Sequence, residues 1–310
     1  MAEEVSRSQF KLYSIDTGGD CINDLISRAG VREVIARYGL FTKKKLGQHF
    51  LVDNHVLGKI ISASEIGADD IVLEIGPGIG GLTQALAARA AHVLAVELDK
   101  QLVPVLRELF DDKPVTVVQG DILRLNLSEL LAPFENKRVK VVANLPYYIT
   151  TPAIFALFES GLPFSSITVM VQKEVAKRMA ASPGTKDFGS LTLAVQYHAD
   201  AEIVANVPVN CFMPRPAVDS AVIKLTLLPH PRVDCDKELL FKIIHAAFGK
   251  RRKTLLNALG SAELFKNLDK TALAELLTKC GVNPQIRGET LDIFQYAALT
   301  EAFKSHGVFL

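Results

Sequence analysis

A tetrad near the middle of the chain has the residue types needed for chemistry on an amine: Asn144, Leu145, Pro146 and Tyr147. The side-chain oxygen of Asn144 and the backbone carbonyl of Leu145 could both accept hydrogen bonds from one exocyclic amine. Two such acceptors on an adenine amine favour the pyramidal geometry in which its lone pair can react. Pro146 restricts the backbone that directs the carbonyl, and the ring of Tyr147 offers a stacking face for an extruded base. Similar sequences also form ordinary turns. The tetrad therefore indicates this chemistry only because it follows the fourth predicted strand of a domain with a glycine-rich loop.

A glycine-rich loop lies upstream of the tetrad and follows the apolar run Ile71 to Ile75, which predicts a buried parallel strand. Gly76, Gly78 and Gly81 satisfy the pattern G-x-G-x-x-G, and helical spacing follows them. Glu97 ends a second apolar run, where its carboxylate could accept hydrogen bonds from both hydroxyls of a ribose. The loop therefore predicts an adenosine-containing ligand, either a dinucleotide or S-adenosylmethionine.

Two further carboxylates bear on the identity of that ligand. Glu74, just before the first glycine, would be poorly placed beside a pyrophosphate, but its sign suits the sulfonium and ammonium of S-adenosylmethionine. Asp121 ends the third predicted strand and could accept a hydrogen bond from the exocyclic amine of the cofactor's adenine. Asp121 could equally cap the turn that begins at Ile122, and the two roles are compatible.

Two segments outside the predicted sheet could complete the site. Gln48, His49 and Phe50 form a polar and aromatic patch after Lys43–Lys45, and we expect this patch to cover the cofactor as a lid. A buried histidine and aromatic ring in the core is the alternative interpretation. Phe212 lies in a stiff, proline-containing loop, and both base stacking and ordinary packing remain open for its ring.

The alternation of strands and helices predicts an α/β protein in which the carboxyl ends of parallel strands share one edge. Residues 1–40 read as an N-terminal helical extension, with two short outer helices between Ile22 and Tyr38 and no chemical role. Residues 41–230 carry the cofactor-binding domain. Residues 231–310 read as a helical domain.

The C-terminal domain contains four consecutive cations next to Phe248: Lys250, Arg251, Arg252 and Lys253. In a chain whose net charge is only +1, such a cluster favours local phosphate contacts over a uniformly basic nucleic-acid surface. A solvated surface is the alternative. Four separated cysteines and the lack of a long apolar run favour a soluble, cytoplasmic protein without a zinc site or a membrane segment.

In combination, these motifs resemble the KsgA-type ribosomal RNA adenine N6,N6-dimethyltransferases. The resemblance extends from about residue 45 to the end and is carried by KKLGQHFL, LEIGPGIGGLT, VELD, GDIL, NLPYY, FMPRPAVDS and FGKRRKTLLNAL. It implies a Rossmann-like class I S-adenosylmethionine-dependent methyltransferase. The expected fold is a mostly parallel seven-stranded sheet, its last strand antiparallel, with a small C-terminal all-helical domain that binds RNA.

The resemblance also implies a reaction and a set of roles. Four methyl groups would pass from S-adenosylmethionine to N6 of two adjacent adenosines near the 3′ end of small-subunit rRNA, within a maturing 30S subunit. The enzyme would act as a monomer, and neither a strong base nor a metal ion is needed for this chemistry. His49 and Leu51 would belong to the cofactor lid, and Gly76 would lie by the methionine moiety. His49 departs from the asparagine that is more usual in the family, which suggests pH-dependent cofactor affinity.

Other functions remain open at this point. A large-subunit rRNA adenine methyltransferase of the resistance type has the same motifs, although the Phe212 loop and the basic segment favour the small-subunit enzyme. A dinucleotide oxidoreductase would need a site for hydride transfer, in which the tetrad has no place. An assembly factor that binds RNA without catalysis is the third alternative.

Overall fold

A seven-stranded sheet organises the part of the chain that carries the glycine loop. The structure, a computed structural model, describes residues 24–307 apart from 42, 44, 45, 251 and 267. Its strands are β1 (Phe50–Leu51), β2 (Ile71–Ile75), β3 (His92–Glu97), β4 (Val115–Gln119), β5 (Val139–Asn144), β6 (Phe164–Gln172), β7 (Ala199–Val207), β8 (Phe212–Met213) and β9 (Ser220–Leu227). The large sheet has the order β4-β3-β2-β5-β6-β9-β7 and is a mostly parallel mixed sheet, while β1 pairs antiparallel with β8.

Helices connect these strands and form the C-terminal part of the chain. They are α1 (Arg28–Arg37), α2 (Asn54–Ser64), α3 (Gly81–Ala87), α4 (Leu102–Leu109), α5 (Leu127–Leu131), α6 (Thr150–Glu159), α7 (Lys173–Met179), α8 (Ser190–His198), α9 (Lys237–Gly249), α10 (Leu255–Leu259), α11 (Lys270–Lys279) and α12 (Ile293–Ser305). Several begin at an acidic N-cap, which satisfies backbone N–H groups that the helix itself cannot pair. No helix in the described residues is long and apolar enough to cross a membrane.

Central strands of the sheet are buried on both faces, as their sequences predict. All five residues of β2 are buried, and β5 is buried over its first five residues. β-Branched and aliphatic residues dominate both strands, which is typical of parallel strands covered by helices on each side. Adjacent strands β4, β3, β2, β5 and β6 are paired in parallel, so their carboxyl ends lie along one edge.

The chain forms two compact units whose boundary differs from the expected one at residues 230 and 231. One unit contains residues up to Lys173 together with Ile203–Lys224, and the other contains Glu174–Glu202 with Leu225–Leu310. Residues 174–202 belong with the C-terminal helices because Phe188, Leu193 and Tyr197 are buried in their hydrophobic cluster. Sequence periodicity does not reveal that residues 174–202 belong to the second unit, because this assignment depends on tertiary packing.

The described part of the N-terminal extension differs from the two outer helices that the sequence suggests. It contains one helix, α1, preceded by Leu25 and Ile26, which are 0% and 3% exposed. Leu25, Val31 and Val34 pack in the cluster that also holds α4, and Ile26 packs with α2 and α3. This segment is therefore part of the core of the first unit.

Candidate functional site

The predicted edge of the sheet opens into a cavity of about 340 Å³. Eight residues that the sequence assigned to the site line this cavity: His49, Leu51, Gly76, Glu97, Asp121, Asn144, Leu145 and Tyr147. They come from the lid segment and from the carboxyl ends of four neighbouring parallel strands, β2 to β5. The parallel topology brings the strand-end residues together. The lid segment adds residues that are distant in sequence, since 95 positions separate His49 from Asn144.

Asn144 ends β5, and its amide orientation is fixed by the lid. The Nδ2 atom donates a hydrogen bond to the backbone carbonyl of His49 at 3.0 Å. Because a carbonyl oxygen can only accept, this contact assigns the amide nitrogen to that side and leaves Oδ1 on the other. Leu145 is 1% exposed as a whole residue and lines the cavity. No hydrogen bond from a described residue occupies Asn144 Oδ1 or the Leu145 carbonyl.

Tyr147, the last residue of the tetrad, begins a short 3-10 turn, and its side chain is held from two sides. Its hydroxyl lies 2.7 Å from Oγ of Ser220, and the ring stacks on His49 with centroids 5.9 Å apart. Burial is the main cause that raises the pKa of the Tyr147 phenol, so the group stays neutral at physiological pH. The side chain is thus a fixed, uncharged platform in the wall of the cavity.

Glu97 and Asp121 both face the cavity from strand ends. Glu97 is 6% exposed, and its two oxygens accept hydrogen bonds from the amides of Gly78 at 3.2 Å and Asp99 at 2.7 Å. Each carboxylate oxygen keeps a further lone pair, so these contacts orient Glu97 without exhausting it. Asp121 Oδ1 accepts from the amide of Leu123 at 3.1 Å, which confirms the turn-capping role. Its Oδ2 atom lies 3.6 Å from the exposed Arg124 and keeps lone pairs for a ligand.

Glu74 is the unusual titratable group of the site. It is the penultimate residue of β2, is 1% exposed, and its Oε2 atom has no hydrogen-bond partner among the described residues. Burial, reinforced by the nearby charge of Glu97, raises the pKa of Glu74 to about 8. A buried carboxylate oxygen without a donor is costly unless a ligand completes it. A cationic ligand group in the cavity would do so.

The lid segment, residues 46–51, forms part of the cavity wall. Its residues Leu46 to Leu51 all line the cavity, and β1 is held by antiparallel pairing with β8, Phe50 opposite Met213. His49 Nδ1 lies 2.8 Å from the carbonyl of Pro214. Gly78 has φ +61°, and a Cβ there would lie 3.1 Å from the ring of Phe50, so this glycine is needed for the lid to approach the loop.

The structure also brings to the cavity residues that sequence reasoning missed. Leu25 and Ile26 line it, and Ile26 sits where a Cβ on Gly81 would come within 2.6 Å of its Cδ1 atom. Tyr148 lines it too and is 52% exposed. The first two give no signal in sequence because isolated apolar residues look alike in any segment. The doubled tyrosine after Pro146 could have suggested Tyr148.

Other predicted residues are not part of the cavity. Phe212 is 1% exposed within a hydrophobic cluster and pairs with Leu51 across β1 and β8, so ordinary packing, one of its two interpretations, describes its place. Lys250, Arg252 and Lys253 belong to the second unit, where they are exposed, and Arg251 lies outside the described residues. The first three form no ion pair with a described residue.

The residues in the cavity fit S-adenosylmethionine. Glu74 offers an unpaired carboxylate oxygen for a cation, Glu97 offers acceptors for ribose hydroxyls, and Asp121 offers one for an adenine amine. The carboxylates of Glu97 and Asp121 would repel a pyrophosphate, which argues against a dinucleotide.

Comparisons with known proteins agree with this geometry. Residues 40–299 match the sequence model of the family described as ribosomal RNA adenine dimethylase. A Ribosomal RNA small subunit methyltransferase A from Lachnoclostridium phytofermentans is 52% identical over 273 residues, which cover 87% of this chain and 94% of that protein. A protein of the same name from Alkaliphilus metalliredigens is 45% identical over 283 residues, covering 90% and 98%.

Solved structures show the same likeness. A dimethyladenosine transferase from Plasmodium falciparum superimposes with a TM-score of 0.72 at 28% identity, covering 84% of this chain and 98% of that one. The 23S rRNA methyltransferase ErmE superimposes with a TM-score of 0.62 at 25% identity, covering 82% and 99%. From the matched residues and the identity to its relatives, the chain belongs to the ribosomal RNA adenine dimethylase family.

Proposed function

We propose that this protein transfers methyl groups from S-adenosylmethionine to N6 of two adjacent adenosines near the 3′ end of small-subunit rRNA, within a maturing 30S subunit. The names of its relatives at 45% and 52% identity support the small subunit as substrate. The likeness to ErmE, a 23S rRNA methyltransferase, is weaker by both identity and TM-score than the likeness to the dimethyladenosine transferase.

The orientation of the Asn144 amide carries the proposal. With Nδ2 bound to the carbonyl of His49, Oδ1 can accept from an adenine amine, and the Leu145 carbonyl can accept its second hydrogen. An alcohol or carboxylate nucleophile would gain nothing from two acceptors, whereas an aromatic amine becomes more nucleophilic as its nitrogen turns pyramidal. The donor and acceptor pattern therefore suits N6 of adenine.

The other residues bind and orient the reactants. S-Adenosylmethionine supplies an electrophilic methyl group when bound, and Glu74, Glu97 and Asp121 would hold it by charge and hydrogen bonds. Tyr147 would stack on the target base, which must leave its helix to reach the cavity. Because the amine is neutral and the thioether leaves readily, positioning and electrostatics supply most of the rate enhancement and no strong base is needed.

We propose that the second unit binds rRNA phosphates. Its exposed Lys250, Arg252 and Lys253 lie between the end of α9 and the start of α10. Because these three cations form no ion pair with a described residue, they are available for phosphate oxygens, and such interactions fix register without reading sequence.

Label transfer from methyl-labelled S-adenosylmethionine tests the proposal. Small subunits that lack the two dimethyladenosines should accept label from the wild type, and Asn144→Ala should reduce it by roughly 10²–10³-fold. Label in large-subunit RNA alone would assign the other substrate. Binding to small subunits without label transfer would make the protein an assembly factor.

A further inference from the structure

Tyr148 lines the cavity but has no role in the reaction proposed above. It is 52% exposed, and its hydroxyl forms no hydrogen bond with a described residue. Two other exposed residues with large hydrophobic side chains, Leu98 and Leu123, line the same cavity. Exposed hydrophobic side chains that gather at one cavity are typical of a surface that a ligand covers. The exposure of Tyr148 therefore favours a binding role.

The two tyrosines that follow β5 face different parts of the cavity. They are the first two residues of the 3-10 turn Tyr147–Ile149, in which neighbouring side chains diverge by about 120°. The hydroxyl of Tyr147 reaches Ser220, the first residue of β9. In the order of the sheet, β9 lies to one side of β5, whereas β3 and β4 lie to the other. Tyr147 is therefore directed toward β9, and Tyr148 away from it.

Two carboxylates at the carboxyl ends of β3 and β4 act on Tyr148. Burial raises the pKa of its phenol, and the negative charges of Asp121 and Glu97 raise it further. Because salt screens charges beyond about 10 Å, both carboxylates must lie near the ring. The phenol is consequently neutral at physiological pH and keeps its proton as a hydrogen-bond donor. These two carboxylates are the groups that the proposed site assigns to the adenine and the ribose of the cofactor.

The backbone of Gly47 holds the ring of Tyr148 from the lid segment. A Cβ at position 47 would lie 3.7 Å from Cδ1 of Tyr148 and 3.8 Å from Cβ of Pro146, so the ring packs beside the glycine backbone. This packing is the simpler role for Tyr148, but it needs no hydroxyl and leaves about half of the residue exposed. A ring that is already positioned and still exposed can be covered by a planar ligand with little loss of side-chain entropy.

We propose that Tyr148 binds the adenosine part of S-adenosylmethionine through its ring. This rests on the proposed function, which assigns Glu97 to the ribose and Asp121 to the adenine. The reaction involves two purines, one in the cofactor and one in the RNA. The two consecutive tyrosines divide these purines between them: Tyr148 contacts the first, and Tyr147 stacks on the second.

Three substitutions at position 148 and two at a control position separate this role from general effects. Tyr148→Ala removes the ring, and Tyr148→Phe keeps the ring without the hydroxyl. The chain contains no tryptophan, so Tyr148→Trp introduces a single fluorescent reporter that retains an aromatic ring. Phe294 is 59% exposed, belongs to the second unit and does not line the cavity. Phe294→Ala and Phe294→Trp are therefore the matched controls.

Two measurements on the full chain without RNA test the contact. Calorimetry gives the Kd of S-adenosylhomocysteine, the spent cofactor, and its displacement gives the Kd of 5′-methylthioadenosine, which lacks the amino-acid part. We expect Tyr148→Ala to weaken both ligands roughly tenfold, as the loss of a base–aromatic stack does, and Tyr148→Phe to retain most of the affinity. Both ligands should change the emission of Tyr148→Trp. Phe294→Ala should bind both as the wild type does, and the emission of Phe294→Trp should stay constant.

Three results would overturn the role of Tyr148. If Tyr148→Ala binds S-adenosylhomocysteine as tightly as the wild type, the residue does not contact the cofactor, and a higher KM for small subunits would then assign it to the RNA. Weaker binding of S-adenosylhomocysteine with unchanged affinity for 5′-methylthioadenosine would place it at the methionine part. Should Tyr148→Ala fail to fold, constant emission of Tyr148→Trp with both ligands would refute the contact.

The wild type distinguishes failure of this inference from failure of the proposed function. If the wild type does not bind S-adenosylhomocysteine, the proposed function itself fails. Equally tight binding by the wild type and by Tyr148→Ala refutes only the role of Tyr148 and leaves the methyl transfer in place.

Discussion

Nδ2 of Asn144 lies 3.0 Å from the backbone carbonyl oxygen of His49, which joins the end of β5 to the lid segment across the cavity. In the proposed function this amide has two tasks: its nitrogen binds the lid segment, and its oxygen accepts a hydrogen bond from the target amine. Closure of the lid and orientation of the acceptor are then the same event. The side chain of His49 takes no part in this bond, which needs only the backbone at position 49.

Substitution of Asn144 by aspartate should separate these tasks from simple loss of a side chain. Asn144→Asp keeps the shape but replaces a donor by an acceptor, so the carboxylate would repel the carbonyl of His49. We expect the rate of methyl transfer to fall by roughly 10²–10³-fold. Binding of S-adenosylhomocysteine should also weaken, because the lid loses an anchor. Label transfer to undermethylated small subunits and calorimetry measure the two effects.

His49→Ala is the matched control for that variant. It leaves the backbone carbonyl in place and removes only the ring contacts with Pro214 and Tyr147. Its activity should therefore remain far above that of Asn144→Asp. Equal losses in the two variants would show that the side chain of His49, rather than its carbonyl, is what the site requires.

Glu74 should make cofactor binding depend on pH. Its pKa is raised to about 8 by burial, so at pH 7 the free protein holds it mostly protonated. A cationic ligand favours the ionised form, and binding below pH 8 must then release a proton. Affinity for S-adenosylmethionine should therefore rise from pH 6 to 8 and level off above that. Calorimetry in buffers with different ionisation enthalpies counts the proton released, and Glu74→Gln should abolish that release.

The same group should also lower the stability of the ligand-free protein at alkaline pH. The folded state retains the Glu74 proton above the ordinary glutamate pKa, so the unfolded state binds fewer protons between about pH 4.5 and 8. The contribution of Glu74 to folding stability is complete below that range and is lost as pH rises through it. Glu74→Gln should melt at a higher temperature than the wild type at pH 8 but not at pH 5. The reverse order would contradict a raised pKa.

Most of the cavity could be predicted because its residues end strands of a parallel sheet. The β-branched and apolar runs before Gly76, Glu97 and Asp121 indicate parallel strands, and parallel strands place their carboxyl ends together. The chemistry of the tetrad followed from donor and acceptor counting. These inferences need only residue types and their spacing along the chain, and not knowledge of tertiary contacts.

The remaining features depend on tertiary contacts that leave no periodic signal. Ile26 reaches the cavity only because the residues before α1 pack on the glycine loop, and Asp99 meets Lys43 across 56 positions of sequence. Phe212 has the same residue type whether it stacks on a base or fills a core. Its antiparallel partner, Leu51, decides the matter through the pairing of β1 and β8. Each of these strands has only two residues, which is too short for an alternating pattern to be recognised in the sequence.

Residues before the family match should contribute to cofactor binding. Ile26 lines the cavity and is 3% exposed, so Ile26→Ala should enlarge the site as well as destabilise the fold by about 2–5 kcal/mol. Val34→Ala removes a buried side chain of α1 that does not line the cavity. We expect both variants to lower the melting temperature, but only Ile26→Ala to weaken S-adenosylhomocysteine binding. Equal affinities would confine this N-terminal segment to a structural role.

Neutralising the basic segment should weaken RNA binding without touching the cofactor. Lys250, Arg252 and Lys253 are exposed and lie in the second unit, whereas the cavity belongs to the first. In the triple alanine variant, affinity for small subunits should fall. The slope of log K against log salt should flatten by up to about 0.7–0.9 for each phosphate that the variant no longer neutralises. Titrations at several salt concentrations measure both.

Two other lysines of the same unit provide the control for that variant. Lys242 and Lys266 form ion pairs with Glu238 and Glu263. Replacing these lysines by alanine removes positive charges that a neighbouring carboxylate already neutralises. Affinity for subunits and its salt slope should then change much less than in the triple variant, while S-adenosylhomocysteine binding stays the same in both. If the two sets of substitutions weaken subunit binding equally, only net charge attracts the RNA, and the segment between α9 and α10 makes no specific phosphate contacts.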